Sequence, residues 1–305
     1  MDLSICGTCG VQYNTTSAES CKICDDPRQY VPPQGQWWTT LRSLQESGNY
    51  HNRFHTDEKQ PGLVSIVTVP PVGIGQRAML CSTPVGNILW DCITYLDDET
   101  VRRVNELGGI RAIAISHPHF YSTAIHWAEA FQCPVYYSAE DEEWIQRYCE
   151  NGPERVIAGS EPLDHSGAKQ VIWKGDELSL IGGKFKILKA GGHFPGSSVL
   201  FWKDTKRLLV ADTIQVVPSG LYHVDRPQGT VSYTFMWSYP NQIPLPPDAV
   251  NHIWKTVAPL DFEDIHGGFM GRDTIGNSRK KVLESAQVYI KAMGYNDHPI
   301  HAETK

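Results

Sequence analysis

Ile113-Ala114-Ile115-Ser116-His117-Pro118-His119 is an apolar run that ends abruptly in two histidines separated by one residue. It reads as a buried strand that delivers metal ligands. In an extended chain residues i and i+2 point to the same side, so both imidazoles can converge on one ion while Pro118 faces away. Pro118 has no N–H to donate, which suits the end of a strand, where the ladder is finishing. Taken by itself, the pair reads equally well as a polar strand end without a metal.

Three other stretches share the same grammar, an apolar run followed by small residues and then a potential ligand. They are Ile187-Leu188-Lys189-Ala190-Gly191-Gly192-His193, Leu208-Leu209-Val210-Ala211-Asp212, and Phe262-Glu263-Asp264-Ile265-His266-Gly267-Gly268. Nitrogen and carboxylate donors at the ends of several strands suit a first-row metal.

Together these motifs resemble the metallo-β-lactamase superfamily, whose order is an Asp after an early strand, Ser/Thr-His-x-His-x-Asp-His, a later Gly-His, a later Asp and a final His. His117 and His119 match the first two histidines, His193 the third, Asp212 the later Asp and His266 the final His. Asp91 matches the early Asp, which in the family supports the metal site without binding the ion. The run Gly191-Gly192-His193-Phe194-Pro195-Gly196-Ser197 is close to the family's Gly-Gly-His-Thr-Pro-Gly-Ser. The resemblance covers residues from about 63 to 270 and implies an α+β fold, an αββα sandwich whose strand ends gather the ligands on one edge.

One departure carries chemical weight. Where the family has Asp-His, the ligands of a second metal, this chain has Tyr121 and Ser122. A phenol of ordinary pKa ~10 and a hydroxyl are poor substitutes for a carboxylate and an imidazole. The expected centre is therefore mononuclear, with zinc or another divalent metal on His117, His119 and His193 and with Asp212 as fourth ligand or base. Such a site can lower the pKa of a bound water to ~7 and so supply hydroxide at neutral pH. His266, without a second metal, becomes free to bind substrate or move protons, and Tyr121 joins it as a candidate donor to the leaving group or oxyanion. His126 is expected to be a structural or surface histidine, with ligation as the alternative. His165, His223 and His252 have no partner pattern.

Ahead of this region lie Cys6-Gly7-Thr8-Cys9 and Cys21-Lys22-Ile23-Cys24, two C-x-x-C knuckles separated by eleven residues. Two such turns make a closed four-cysteine zinc site, and a segment too short to bury a core of its own would depend on that zinc. A redox dithiol or an unbound tail are the alternatives. The expected organisation is a zinc-ribbon-like segment over 1–30, a Pro-rich connector over 31–62 with Trp37 and Trp38 docking it, and the main domain over 63–305. The remaining cysteines, Cys81, Cys92, Cys133 and Cys149, read as buried small hydrophobes.

Within the main domain, short strands at Leu63 to Val69, Ala78 to Ser82 and Asn87 to Ile93 give way to helices at Asp97 to Leu107, Ser122 to Phe131 and Glu140 to Cys149 that alternate with strands at Ile110 to Ser116 and Pro134 to Ser138, and helices return after Pro247 and Asp273. The aromatic stretch Tyr222 to Tyr239 reads as core, or else as a wall of the substrate pocket. The 305 residues carry 27 basic and 34 acidic side chains without a basic block, which argues against nucleic acid as a partner. No apolar run is long enough to span a membrane, and Met1-Asp2-Leu3-Ser4 does not start a signal peptide, so a cytoplasmic protein acting on a small molecule is expected, with a homo-oligomer allowed. The resemblance implies a metallo-hydrolase of a small ester, thioester, lactone or lactam, the cyclic amide or ester being favoured through the lactamase and lactonase branch. The rival reading is a redirected, non-catalytic member that binds partners through its ribbon. A nuclease is disfavoured by the acidic balance.

Overall fold

The computed structural model describes residues 2–157, 166–221, 227 and 229–304. A short ladder pairs β1 (Ile5–Cys6) with β2 (Trp38–Thr39). The first large sheet is built from β3 (His51–Thr56), β4 (Leu63–Val69), β5 (Ala78–Cys81), β6 (Ile88–Trp90), β7 (Ala112–Ala114), β8 (Pro134–Ser138), β9 (Glu154–Ile157) and β10 (Lys169–Lys174). Its eight strands run in the order β3-β4-β5-β6-β7-β8-β10-β9. The second sheet begins with β11 (Glu177–Leu180), β12 (Phe185–Lys189), β13 (Ser198–Trp202) and β14 (Arg207–Leu209). Two small ladders follow, β15 (Gln215–Val216) with β16 (Tyr233–Thr234) and β17 (Met236–Ser238) with β18 (Ile243–Pro244). The chain then rejoins the second sheet through β19 (Asp264–His266) and β20 (Asp273–Thr274), giving six strands in the order β11-β12-β13-β14-β19-β20.

Side-chain alternation shows how the two sheets face each other. In β7, Ala112 and Ala114 join the cluster that also holds Trp90, Phe185, Ile187, Leu200 and Leu209, while Ile113 between them joins the opposite cluster. Likewise Leu188, Val199 and Leu208 turn away from the inter-sheet core. A strand with both faces buried reads as a continuous apolar run, which is why Ile113 to Ile115 show no polar alternation. Helices cover the outer faces: α3 (Asp98–Glu106) and α4 (Ala124–Phe131) on the first sheet, α5 (Pro247–Val257) and α6 (Ser278–Ala292) on the second. This is the αββα sandwich. Two shorter helices, α1 (Lys22–Asp25) and α2 (Leu41–Glu46), precede it. No helix among the described residues is long and apolar enough to cross a membrane.

Three details differ from the sequence expectations. The first sheet starts at His51, inside the stretch read as connector, because β3 is an edge strand whose residues are mostly exposed and so lack an apolar run. Glu140 to Cys149 is not a full helix. A 3-10 turn covers Ala139–Trp144, and the Asp141 carbonyl, which a helix would use, instead accepts the Tyr121 hydroxyl at 3.0 Å. The aromatic stretch divides. Tyr233 and Phe235 are core, Trp237 lies against Arg28, Tyr239 stands beside the His193 ring, and residues 222–226, like His165, lie outside the described residues.

The four cysteines are 0–3% exposed and share one apolar cluster with the outer face of the first sheet. Their segment is hydrogen-bonded into the sandwich by Gln12 N–H to the Ser122 carbonyl at 3.1 Å and by the Thr94 hydroxyl to the Gly10 carbonyl at 3.2 Å. Trp38 packs edge-on against Tyr13, with ring centroids 5.2 Å apart, so the tryptophan pair docks on this segment.

Candidate metal centres

The four cysteine sulfurs form the first cluster. Cys6 Sγ lies 3.6 Å from Cys24 Sγ, and Cys9 Sγ lies 3.6 Å from Cys21 Sγ. These separations are far beyond an S–S bond. They approach the ~3.8 Å edge of a tetrahedron whose metal–sulfur bonds are ~2.3 Å. The thiols fit a divalent metal.

The second cluster is built where β7, β12 and β14 end. His117 and His119 follow β7, His193 follows the Gly191-Gly192 turn after β12, and Asp212 follows β14. His117 Nε2 is 3.3 Å, His119 Nδ1 3.5 Å and His193 Nε2 3.8 Å from Asp212 Oδ2, and His119 Nδ1 is 3.2 Å from His193 Nε2. A tetrahedral ion with bonds of ~2.0–2.1 Å holds its ligand atoms ~3.3–3.4 Å apart. The four atoms therefore already stand close to the corners such an ion needs. His117 Nε2 is buried with no hydrogen-bond partner among the described residues, as expected of a lone pair kept for a metal.

Charge and hydrogen bonding favour the ligating forms. Burial lowers His117 to about 4 and pushes His193 well below its ordinary value, so both are neutral bases. For Asp212, burial alone would raise the carboxyl, but the imidazoles of His117, His119 and His193 gathered around it override that and hold the group ionised. His193 Nδ1–H donates to the Met236 carbonyl at 3.2 Å, leaving the Nε2 lone pair facing the cage. His117 Nδ1 shares a 2.9 Å hydrogen bond with Ser116 Oγ. Asp91 supports this arrangement from behind, because its Oδ1 accepts the Ser116 N–H at 2.7 Å.

The second-metal position of the family is filled by other groups. Ser122 Oγ donates to the Cys92 carbonyl at 3.2 Å and accepts from Gln76 at 2.8 Å. The Phe120 ring lies 5.1 Å from the His117 ring and touches the backbone at Gly268, where a Cβ would come within 2.6 Å of it. Tyr121 differs from its expected role. Its hydroxyl is committed to the Asp141 carbonyl and its ring stacks edge-on against Tyr137, with centroids 4.9 Å apart. His126 pairs with Glu129 at 3.1 Å and stands away from both clusters.

His266 lies beside this cage, not in it. The Val210 N–H donates to the His266 carbonyl at 2.8 Å, two residues before Asp212. Its Nδ1 is 3.3 Å from Asp273, which Arg77 also pairs, and its Nε2 is buried without a partner among the described residues. Burial would raise the Asp273 carboxyl, yet the bond to His266 and the charge of Arg77 hold it at about 2. Sequence reasoning missed Asp273 and Arg77, which no motif spacing marks.

The chain segment 79–280 matches the family described as the Metallo-beta-lactamase superfamily. The chain belongs to that superfamily. It is also similar to the uncharacterized protein YmaE of Bacillus subtilis (strain 168), with 41% identity over 299 residues, covering 96% of this chain and 97% of YmaE. The sandwich is similar to the crystal structure of the DIM-1 metallo-beta-lactamase, with a TM-score of 0.50, 13% identity, and coverage of 79% of this chain and 98% of that one. It is likewise similar to VMB-1 at pH 5.5, with a TM-score of 0.50, 11% identity and the same 79% and 98% coverage. In superfamily terms, this chain keeps a three-histidine and aspartate site on a hydrolase-like fold and lacks the second-metal Asp-His pair.

One buried carboxyl braces the loop that carries His193. Asp141 Oδ1 accepts the Gly196 N–H at 2.7 Å, and only glycine fits there, since a Cβ would come within 2.6 Å of Ser138. Asp141 Oδ2 has no partner among the described residues, and burial raises the group to about 7. The folded carboxyl thus holds its proton up to about 7, whereas the unfolded one releases it near 4. Native stability should fall as pH rises through that window, by about 4 kcal/mol at most. Asp141→Asn, which does not titrate, is expected to match the wild type at about pH 4 in urea unfolding and to exceed it at about pH 8. Parallel stability curves for the two proteins would remove Asp141 as the cause.

Proposed function

We propose that the protein is a metal-dependent hydrolase of a small cyclic amide or ester, a lactam or lactone, working at a mononuclear site. The observation that carries this reading is the set of four donor atoms on His117, His119, His193 and Asp212, already spaced for one ion. Zinc is the proposed metal at both clusters. A divalent ion held there polarises a carbonyl and makes a bound water acidic near neutral pH.

The chain's own residues then have separate tasks. Asp212, the corner farthest from His193, orients water through its ionised carboxylate. Its backbone is fixed by the Tyr239 hydroxyl, which donates to the Asp212 carbonyl at 2.7 Å. His266, whose Nδ1–H is held by Asp273, would take a proton from the attacking water at Nε2 and pass it to the leaving nitrogen or oxygen. Tyr239 stands beside the His193 ring, with centroids 5.7 Å apart, and gives the site an aromatic side that favours a small, flat substrate.

Hydrolysis of a panel of lactams, lactones and thioesters by metal-loaded protein tests the reading, with turnover of a lactam or lactone expected. Turnover of none by protein with a full metal complement would reject it. Tyr121→Phe is expected to keep full turnover and to lose about 1–3 kcal/mol of stability, because the buried Asp141 carbonyl is left unpaired. A turnover defect at unchanged metal content would return Tyr121 to the catalytic group.

A further inference from the structure

The four-cysteine segment does more than cap the sandwich. Two residues after Cys24 the chain reaches Asp26, Pro27 and Arg28, which run directly behind the histidine cage. Arg28 is 8% exposed, and its Nη1–H donates to the carbonyl of His193 at 3.2 Å. Its Nε and Nη2 grip the Asp26 carboxylate in a fork, at 2.7 and 2.6 Å. The guanidinium lies 3.8 Å from the centre of the Phe194 ring, 4.9 Å from Trp144 and 5.5 Å from Trp237. From the other side, Ser238 Oγ and Asn241 Nδ2 donate to the Pro27 carbonyl at 2.6 and 2.7 Å. The tripeptide is thus clamped between the loop carrying His193 and the strand whose Met236 carbonyl receives the His193 ring. A fork of this kind needs an arginine, because a lysine cannot make two parallel bonds.

We propose that Arg28 is a positioning residue for the metal centre and that the four-cysteine site anchors it, so that filling the cysteine site strengthens metal binding at the histidine site. A metal on Cys6, Cys9, Cys21 and Cys24 fixes the chain at Cys24 and limits the places Asp26 and Arg28 can occupy. Arg28 then holds His193 at the carbonyl while Met236 holds its ring, and both ends of the ligand are set before the ion arrives. Coupling of this type is reciprocal and rests on a shared element with one preferred position. The inference rests on a metal at the histidine cage and not on which bond the enzyme cleaves.

Cobalt(II) titration of metal-depleted protein separates the two sites, because thiolate ligands give a strong charge-transfer band and the histidine site gives only weak visible bands. In the wild type, loading the cysteine site first should tighten the histidine site about tenfold. In Arg28→Ala the histidine site should bind about tenfold more weakly and the tightening should vanish, with the thiolate band unchanged. Arg28→Lys, which keeps the charge and one donor for the His193 carbonyl, should recover part of the loss. Should Arg28→Ala fail to fold, the Ser238→Ala and Asn241→Ala double variant releases Pro27 from the opposite side and should show a smaller loss of the same kind. Wild-type affinity and coupling in whichever variant folds overturns the proposal, whatever the outcome of the hydrolysis panel.

Discussion

Replacing Cys6 and Cys9 together by serine is expected to remove one metal per chain and to lower the unfolding temperature sharply, with the sandwich still folding. The expectation of a large effect comes from where the sulfurs sit. They are not on a separate appendage but in the cluster that packs Ile66, Leu80, Ile113 and Trp127 against the outside of the first sheet. Structural zinc in a zinc-finger peptide is worth ~10–16 kcal/mol at neutral pH, and the part realised here adds to a sandwich that has cores of its own. Two serines there would also bury hydroxyls among apolar side chains. If the variant is too unstable to purify, thiol titration of the native wild type decides the matter. Metal should leave in step with modification of the four clustered thiols, and modification without metal release would show that no ion is held there.

The sandwich was legible because its inner strands carry the signal that burial imposes. β4 is recoverable from Leu63 to Val69 and β8 from Pro134 to Ser138 with the same bounds that the structure shows, since each is apolar along its length and stops at a turn residue. β3 was not legible, because an edge strand is selected for polar, exposed residues and looks like the connector that precedes it. Nor was the 3-10 turn at Ala139–Trp144 legible, because what ends it is a hydrogen bond from Tyr121, a residue almost twenty positions away.

The site divides along the same line. Metal ligands declare themselves through motif: the i, i+2 pair His117 and His119, and the glycine-flanked His193, are local patterns, and the structure brings them together with Asp212. The groups that hold those ligands do not. Arg28 acts on the carbonyl of His193 and Asp141 on the loop that follows it, both across long stretches of chain, and any sequence contains many such residues. Tyr121 shows the converse hazard. Its position in the motif suggested chemistry, yet its hydroxyl is used to brace Asp141. A motif position constrains the backbone and leaves the direction of a side chain to its neighbours.

The sharpest test of the mechanism is to separate holding the metal from moving the proton. His117→Ala is expected to lose the second metal and all hydrolysis together, because His117 Nε2 is one corner of the cage, and Asp212 would be left buried with fewer partners for its charge. His266→Ala should behave differently. His266 lies outside the group of four donor atoms, so the metal content should stay at two per chain, counting the cysteine site. Turnover should nevertheless fall by ~10²-fold or more, the usual loss when a general acid or base is removed. The defect should appear in kcat, since nothing places His266 against the part of the substrate that binds without reacting. Asp273→Asn should reproduce a share of it, because the His266 ring would lose the carboxylate that keeps Nδ1 protonated and Nε2 directed away from it. If His266→Ala retains its metals and turns over substrate at the wild-type rate, the leaving group takes its proton from elsewhere, and solvent becomes the remaining source at this site.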